Sequence, residues 1–494
     1  MTKISSNQIK TVVAVLFFKI IIVIFLPLTG DEAYFIKWAM HPSLGYYDHP
    51  PMIGWVLYLM SFVSENYVFY RFFSFFTSLI IALVIYKIAR LYGVDKDKST
   101  MLYFLFLVSP VDVLLSLITN DVALILFGSL GTLFLLYALE KKEKWLKYSL
   151  LAGLFLSFSF LSKYFAVFLL LSLLVFAIII YKKSSIKVIL VVSSLLFLAI
   201  AQNLYFNYNS CWNNILFNFF ARTTDSSYQF STVIGYFGTI FYLLTPWGVY
   251  FLLKSKNNFK RSKLLNFLIL ILGFMFIVFL VVSLKKNIGL HWFLLFIPYM
   301  YLLFSFLDYS KLDKLFKYNA IFSFVHIFVF LVIIFIPKSL FSEHKKYSDI
   351  VLYDNPKSIC KEIKQYEDGE FFTFSYSTSS FLSYYCKRDI SMLFNNSKYG
   401  RFDDKLIDVR ELDTKNIVIM NKKVIKPNTY NEICKNANVK EKLIGGAKFY
   451  FLECNEFSYE IYKKKYLQKQ RNKYYNIPDW LPKGSCYFED RYFK

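Results

Sequence analysis

Long apolar runs separated by short charged loops restrict the fold of this sequence more than any other feature. Between Val12 and Pro337, runs of roughly 17 to 22 apolar residues recur, the helix length that crosses a hydrocarbon layer of about 30 Å. Hydrophobic residues make up 56% of the chain, more than a soluble core of this size would bury. The sequence therefore predicts an all-α polytopic membrane bundle of about eleven transmembrane helices. The predicted spans lie near residues 10–28, 67–90, 100–118, 121–139, 147–161, 164–181, 187–206, 234–253, 264–283, 290–307 and 318–336.

The position of the basic residues decides what the formal net charge of +23 means. Such a charge raises nucleic acid as a partner. However, most basic residues of the region 1–336 fall in alternate loops, at 91–99, 140–147, 182–187, 254–263 and 308–317. The positive-inside rule makes these loops cytoplasmic, with the N-terminus inside and the tail after Pro337 outside. Membrane topology thus accounts for the charge, and no nucleic-acid partner is needed.

The apolar stretch from Tyr148 to Tyr181 is too long for one span and tight for two. Counting it once would place the basic loops at 182–187 and 254–263 outside. We therefore predict two short helices that meet near Lys163.

The cysteines avoid every predicted span. Cys211 lies in an outer loop and the other five follow Pro337, an even total on the side predicted to be oxidising. Both disulfides and buried thiols are compatible with this placement, and the spacing does not define a pairing.

The tail has a different pattern. Helix-like segments at 357–366 and 429–436 alternate with strand-like segments at 371–376, 417–420 and 448–452, which favours a small α/β domain. The predicted parts are a membrane domain at 1–336 with a first outer loop at 29–66, an outer α/β domain at 337–457, and a basic aromatic extension at 458–494. Because no P-loop or dinucleotide-binding glycine motif is present, we expect no nucleotide cofactor.

The first outer loop carries the most informative polar residues. Asp31, Glu32, Asp48 and His49 lie where the first predicted span leaves the membrane. Carboxylates at such a boundary are costly to desolvate, so they either serve a site or stay solvated.

At Asp31–Tyr34 (DEAY) and Gly45–Pro51 (GYYDHPP) the chain resembles the membrane-integral, GT-C type glycosyltransferases that use polyprenyl-phosphate sugars. This family includes lipid A aminoarabinose transferases and protein mannosyltransferases. The resemblance covers roughly residues 1–336. Weaker matches follow in the same order at Arg71, Thr119–Asp121, Ser162–Tyr164, Phe219–Arg222, Pro246–Trp247 and Lys286–Trp292.

The resemblance implies roles for individual residues. Asp31 would be the catalytic carboxylate, with Glu32 beside it. A sugar on a lipid phosphate needs cations or a metal to hold the leaving phosphate. The implied substrate-binding residues are Tyr34, His49, Arg71, Asp121, Lys163, Arg222 and Lys286. The alternatives are a snorkelling lysine at 163, a solvated charge at 222 and an interfacial anchor at 286.

A divalent metal is left open by the residues. Asp48 and His291 could contribute to a carboxylate-imidazole site. In the aminoarabinose transferases the loop that contains Arg222 also supplies a histidine to a metal. Here Asn218 and Phe219 stand in that neighbourhood, and this departure puts metal use in doubt. For His291 the alternative is a histidine hydrogen-bonded at a helix end.

The resemblance implies a glycosyltransferase of the bacterial inner membrane with a periplasmic C-terminal domain. It would move a sugar, with inversion, from an undecaprenyl-phosphate-type donor to lipid A, another glycan or another envelope acceptor, with membrane lipids as further partners. Alternatives are a protein O-glycosyltransferase, a lipid-linked sugar transporter or flippase, and a structural assembly protein whose tail does the work.

Overall fold

The computed structural model describes residues 4–221, 228–366 and 369–494. The chain divides into two compact units. The first unit comprises Met1–Leu26, Val63–Gln202 and Asp225–Ile334, and the second comprises Pro27–Phe62, Asn203–Thr224 and Phe335–Lys494. The first outer loop therefore folds in one unit with the tail, a grouping that sequence order does not indicate.

Helices make up the first unit. Seven helices in the described residues are long and apolar enough to cross a membrane, or up to eight if a bent pair forms one span. This confirms the predicted membrane bundle but not the count of about eleven spans. Bounds of the longer helices are Ser6–Phe25, Tyr67–Leu91, Lys96–Leu107, Asn120–Glu140, Trp145–Ser162, Ala166–Tyr181, Ile186–Tyr208, Phe230–Leu244, Pro246–Lys254, Lys263–Ser283 and Tyr309–Phe335.

Three predicted spans are broken for local reasons. After Leu107 the chain restarts as the short helix Pro110–Leu114, which has proline in its first turn and the Ser109 side chain as its cap. Between Leu244 and Pro246 the chain bends by 82°, with Thr245 at a φ of 61°. The predicted span at 290–307 consists of short helical pieces, Leu290–Phe293 and Ile297–Leu302 among them.

The region around Lys163 follows the prediction. The helix Trp145–Ser162 ends there because Lys163 is extended, with φ −164° and ψ 140°. The next helix begins at Ala166. The inference of two short helices that meet near this lysine is therefore confirmed.

A buried ion pair lies inside the first unit. Lys19 Nζ is 2.9 Å from Asp112 Oδ1 and donates to Ser78 Oγ at 2.9 Å, and both charged side chains are fully buried. Charges at membrane depth are tolerated when they face the bundle interior and pair with each other. The ion pair with Asp112 thus explains how the first span can contain Lys19.

A five-stranded mixed sheet forms the core of the second unit, which confirms the predicted α/β tail. Its strands are β1 (Glu370–Thr373), β2 (Ser391–Met392), β3 (Ile417–Asn421), β4 (Cys434–Ile444) and β5 (Ala447–Phe457). Their order is β2-β1-β3-β5-β4. Strand β1 pairs in parallel with β2 and β3, and β5 pairs antiparallel with β3 and β4. Gly445 and Gly446, both with positive φ, form the two-residue turn between β4 and β5.

Two local predictions in the tail are corrected. The helix predicted at 429–436 is wrong, because the strand β4 begins at Cys434 and pairs with β5. The strand predicted at 371–376 stops at Thr373, and a helix begins at Tyr376. At 434–436 a pairing partner distant in sequence overrides local propensity. The pairing of β1 with β2 and β3 extends only as far as Thr373. The helices of this unit are Gly30–Met40, Met52–Ser61, Asn213–Ile215, Tyr347–Asp354, Pro356–Lys364, Tyr376–Cys386, Asp403–Leu406, Tyr459–Tyr462, Gln468–Tyr474 and Tyr487–Tyr492.

All six cysteines form disulfides, so the alternative of buried thiols is excluded. The pairs are Cys211–Cys486, Cys360–Cys386 and Cys434–Cys454. The first of them fixes the C-terminal extension to the segment after the helix Ile186–Tyr208. Trp212 Nε1 also donates to Pro482 O at 2.9 Å, and Trp212 packs against Leu481. The extension is therefore an integral part of the second unit.

Candidate functional site

The two adjacent carboxylates of the first loop, Asp31 and Glu32, differ because only Glu32 takes part in a helix cap. Thr29 Oγ1 accepts from the Glu32 amide at 3.3 Å, and Glu32 Oε2 accepts from the Thr29 amide at 3.1 Å. This capping box begins the helix Gly30–Met40 and leaves Glu32 only 1% exposed. Asp31, in the same first turn, is exposed. The structure therefore gives Glu32 a structural role and leaves Asp31 as the accessible carboxylate; the catalytic role of each stays a prediction.

Asp31 is held by a tyrosine from the tail. Tyr376 Oη donates to Asp31 Oδ1 at 3.0 Å. Burial raises the pKa of Tyr376, and the neighbouring Asp31 raises it further, so the phenol stays a protonated donor. A Cβ at Gly30 would lie 2.6 Å from Ser377 Cβ, so glycine permits this close approach of two helices.

Tyr34 connects this contact to Asp48. Its hydroxyl donates to Asp48 Oδ1 at 3.3 Å, and its ring lies 4.9 Å from the Tyr376 ring. Burial raises the pKa of Tyr34, and Asp48 adds to the effect. We call Asp31, Tyr34, Asp48 and Tyr376 the first-loop cluster. Three of its members come from the sequence prediction, whereas Tyr376 was missed because nothing distinguishes it among the 39 tyrosines.

Two asparagines hold the segment that contains Asp48 and His49. Asn214 Nδ2 donates to the carbonyl of Tyr47 at 3.2 Å and to that of His49 at 3.3 Å. Asn218 Nδ2 donates to the carbonyl of Asp48 at 3.0 Å. Asn218, which the sequence marked as the departure from a metal-binding histidine, therefore serves the backbone of the loop. Its neighbour Arg222 lies outside the described residues.

A buried ion pair anchors the first-loop helix on the tail. Lys37 Nζ is 2.7 Å from Asp403 Oδ1 and donates to the carbonyl of Ile390 at 3.0 Å; both charged side chains are fully buried. Asp403 Oδ2 accepts from the Met392 amide at 2.8 Å and from Ser379 Oγ at 3.3 Å. Because the remaining lone pairs of the carboxylate are used, the pair is well compensated.

Two predicted residues meet in the first unit. Lys163 Nζ is 2.8 Å from Asp121 Oδ1, with 7% and 9% of the side chains exposed. The lysine also lies over the Phe165 ring, 5.3 Å from its centroid, and that ring is 4.3 Å from the Trp292 ring. A phosphate that binds the Lys163 ammonium would therefore share it with the Asp121 carboxylate.

The side chain of Arg71 is buried and binds backbone carbonyls. Its guanidinium is fully buried and donates to the carbonyls of Leu26 at 2.5 Å and Val23 at 3.2 Å. It also lies over the Tyr67 ring at 4.8 Å. These contacts cap the C-terminal end of the helix Ser6–Phe25. Its predicted substrate contact stays a prediction.

The remaining predicted residues of the first unit are accessible. Lys286 is half-buried and His291 is exposed, beside the Trp292 ring at 6.4 Å. In the described residues, no group of three or more His, Cys, Asp and Glu side chains is arranged to hold a metal ion. The predicted metal ligands Asp48 and His291 belong to different units. We therefore assign no chemical step to a metal, and the metal stays a prediction.

A known protein family matches part of the chain. Residues 48–206 match the family of dolichyl-phosphate-mannose-protein mannosyltransferases. Curated protein sequences give no match to the chain.

Solved structures match over nearly the whole chain. ArnT from Cupriavidus metallidurans bound to undecaprenyl phosphate aligns with a TM-score of 0.62 and 12% identity, over 91% of this chain and 98% of ArnT. Its apo structure aligns with a TM-score of 0.61 and 12% identity, over 90% and 97%. The apo oligosaccharyltransferase of Archaeoglobus fulgidus is more distant, with a TM-score of 0.48 and 12% identity over 83% and 69%.

At 12% identity the ArnT structures show the fold, and the family match adds a similarity in sequence over about a third of the chain. The resemblance inferred from the first outer loop is therefore confirmed at the level of the fold: the chain has the GT-C fold seen in ArnT, and its residues 48–206 match the dolichyl-phosphate-mannose-protein mannosyltransferase family.

Proposed function

We propose that this protein is a glycosyltransferase that moves a sugar from a polyprenyl-phosphate donor to an acceptor on the outer face of the membrane. The observation that carries the proposal is the first-loop cluster, in which an exposed Asp31 is fixed by the Tyr376 hydroxyl at 3.0 Å. A carboxylate that is both accessible and oriented is the group that such a transfer needs.

The reaction is a single displacement. The acceptor oxygen attacks the anomeric carbon of the sugar, the bond from that carbon to the phosphate oxygen breaks, and polyprenyl phosphate leaves. Asp31 takes the proton of an acceptor hydroxyl. Tyr376, which stays protonated, keeps the carboxylate oriented through its hydrogen bond. The configuration at the anomeric carbon inverts because attack and departure occur on opposite faces.

For the donor, we propose an undecaprenyl-phosphate-linked sugar. The similar fold of ArnT, whose structure holds undecaprenyl phosphate, supports this lipid. Lys163, Arg222, Lys286 and His49 are the proposed contacts of the phosphate and sugar. For the acceptor, we propose lipid A or another envelope glycan at a bacterial inner membrane, with the tail in the periplasm.

A protein acceptor is the second candidate. The family that matches residues 48–206 is described as protein mannosyltransferases, which is the observation in its favour. Mass spectrometry of envelope lipids and proteins, from cells with and without this chain, separates the two. A sugar missing from a lipid supports the first candidate, and a sugar missing from proteins supports the second.

Asp31→Asn tests the enzyme itself. This change removes a charge and a proton acceptor but nearly preserves shape, so we expect turnover to fall by about 10² or more, with little change in donor binding. Stability should change by less than about 0.5 kcal/mol, because Asp31 is exposed.

The assay measures transfer of a labelled sugar by the purified full chain in nanodiscs. Asp354→Asn, measured in the same way, is the matched control. Asp354 is also an exposed aspartate of the second unit. Wild-type turnover by the Asp31→Asn protein would reject the catalytic assignment. Lost lipid movement with an unaltered product would instead indicate a transporter.

A further inference from the structure

A wholly apolar groove lies on the first unit, apart from every predicted site residue. It has a volume of about 410 Å³, within the range of about 300 to 1,000 Å³ typical of ligand pockets. The helix Lys263–Ser283 forms one wall through Leu268, Leu272, Gly273 and Phe276. The helix is a candidate membrane span, and its Ile277 side chain is 67% exposed. The groove therefore lies on a helix that has apolar side chains on its outer surface.

Five cations adjoin the groove along the chain. Phe259, which lines the groove, lies within the segment 254–263, called here the basic segment. All five basic side chains of this segment are exposed: Lys254, Lys256, Lys260, Arg261 and Lys263. Lys263 pairs with Glu140 at 3.0 Å. Lys260 and Arg261 form no ion pair with any residue that the structure describes.

We infer that this groove binds an acyl chain of an anionic bilayer phospholipid, whose headgroup lies on the basic segment. An anionic headgroup complements exposed cations, as juxtamembrane basic clusters do at negatively charged membrane surfaces. A zwitterionic lipid would fill the groove without neutralising the cations. A soluble anion would neutralise the cations without covering the apolar walls. Only an anionic amphiphile satisfies both features.

Gly273 offers a selective way to close the groove. A Cβ at Gly273 would meet nothing within 4 Å, so Gly273→Phe adds a bulky side chain at the groove wall from a position with open space around its Cβ. Gly238, on the helix Phe230–Leu244, also has open space at its Cβ and does not line the groove. Gly238→Phe is therefore the matched control.

The headgroup is tested separately. The double variant Lys260→Gln/Arg261→Gln removes two cations of the basic segment. Lys142→Gln/Lys144→Gln, which removes two exposed cations from another basic loop, is its control.

The experiment is native mass spectrometry of the purified full chain with added phosphatidylglycerol, phosphatidylcholine or undecaprenyl phosphate at equal concentrations. We expect retention of phosphatidylglycerol over phosphatidylcholine by at least tenfold, lost in Gly273→Phe and in Lys260→Gln/Arg261→Gln but kept in both controls. Size-exclusion profiles and transfer rates should stay those of the wild type, which separates a failure of this inference from a failure of the proposed enzyme.

Three results would overturn the inference. They are equal retention of the two phospholipids, equal effects of Gly273→Phe and Gly238→Phe, or a Gly273-dependent preference for undecaprenyl phosphate, which would make the groove a donor site.

Discussion

Replacing Lys37 by methionine should loosen the helix that carries Asp31. Lys37 and Asp403 are both fully buried and 2.7 Å apart. Lys37→Met keeps the length of the side chain but leaves a buried carboxylate without its cation, a change that costs about 3 to 5 kcal/mol. At about 1.36 kcal/mol per power of ten, amide protection in the helix Gly30–Met40 should fall by roughly two to four powers of ten.

The assay is hydrogen exchange of the full chain under native conditions, read on peptides from Gly30–Met40 and Tyr376–Cys386. The matched control is Lys415→Met, because Lys415 pairs with Glu370 at 3.3 Å with 49% and 45% of the side chains exposed. Such an exposed pair contributes about 0 to 1 kcal/mol.

A second variant identifies the cause. Lys37→Met/Asp403→Asn removes both charges, while the asparagine oxygen can still accept from the Met392 amide. It should recover most of the lost protection. If Lys37→Met changes protection no more than Lys415→Met does, the reasoning about a buried uncompensated charge is refuted.

Three further outcomes are expected. Tyr376→Phe removes a hydrogen bond to the exposed Asp31 carboxylate, worth about 1 kcal/mol, so turnover should fall roughly fivefold in the wild type and not at all in Asp31→Asn; equal losses in both backgrounds would contradict coupling through Asp31. Single cysteines at Lys256 and Asn396 should react with an impermeant maleimide from opposite sides of the membrane, and reaction from one side would contradict the predicted topology. If the predicted divalent metal is used, chelator treatment should lower turnover and added divalent cations should restore it; unchanged turnover would contradict Asp48 and His291 as metal ligands.

Membrane insertion was determined by the sequence itself. A helix in lipid satisfies its own backbone hydrogen bonds, so a run of apolar residues is sufficient to predict it. The two helices around Lys163 followed from length and charge in the same way. Broken spans were harder to foresee, because the breaks at Ser109 and Thr245 depend on a cap and on a single backbone conformation within apolar sequence.

The candidate site was only partly accessible to the sequence. The first outer loop pointed to Asp31 and Asp48 because carboxylates at a membrane boundary are costly to desolvate, and Tyr34 was added by the resemblance of the DEAY motif. Tyr376 is 345 residues from Asp31 along the chain and has no local signature. Whether a carboxylate is exposed or used as a cap also depends on its position within the first turn of the helix: the capping box uses Glu32, which is buried, while its neighbour Asp31 stays accessible.

Long-range pairing was decided by the tertiary structure alone. The sequence gives an even number of cysteines, but only the folded chain brings Cys211 to Cys486 across a separation of 275 residues. Likewise, the residues at 434–436 become a strand because β5 offers a partner, although their local pattern favours a helix. Apolar periodicity acts over a few turns of one helix, whereas disulfides, buried ion pairs and strand pairing require segments that meet only after folding.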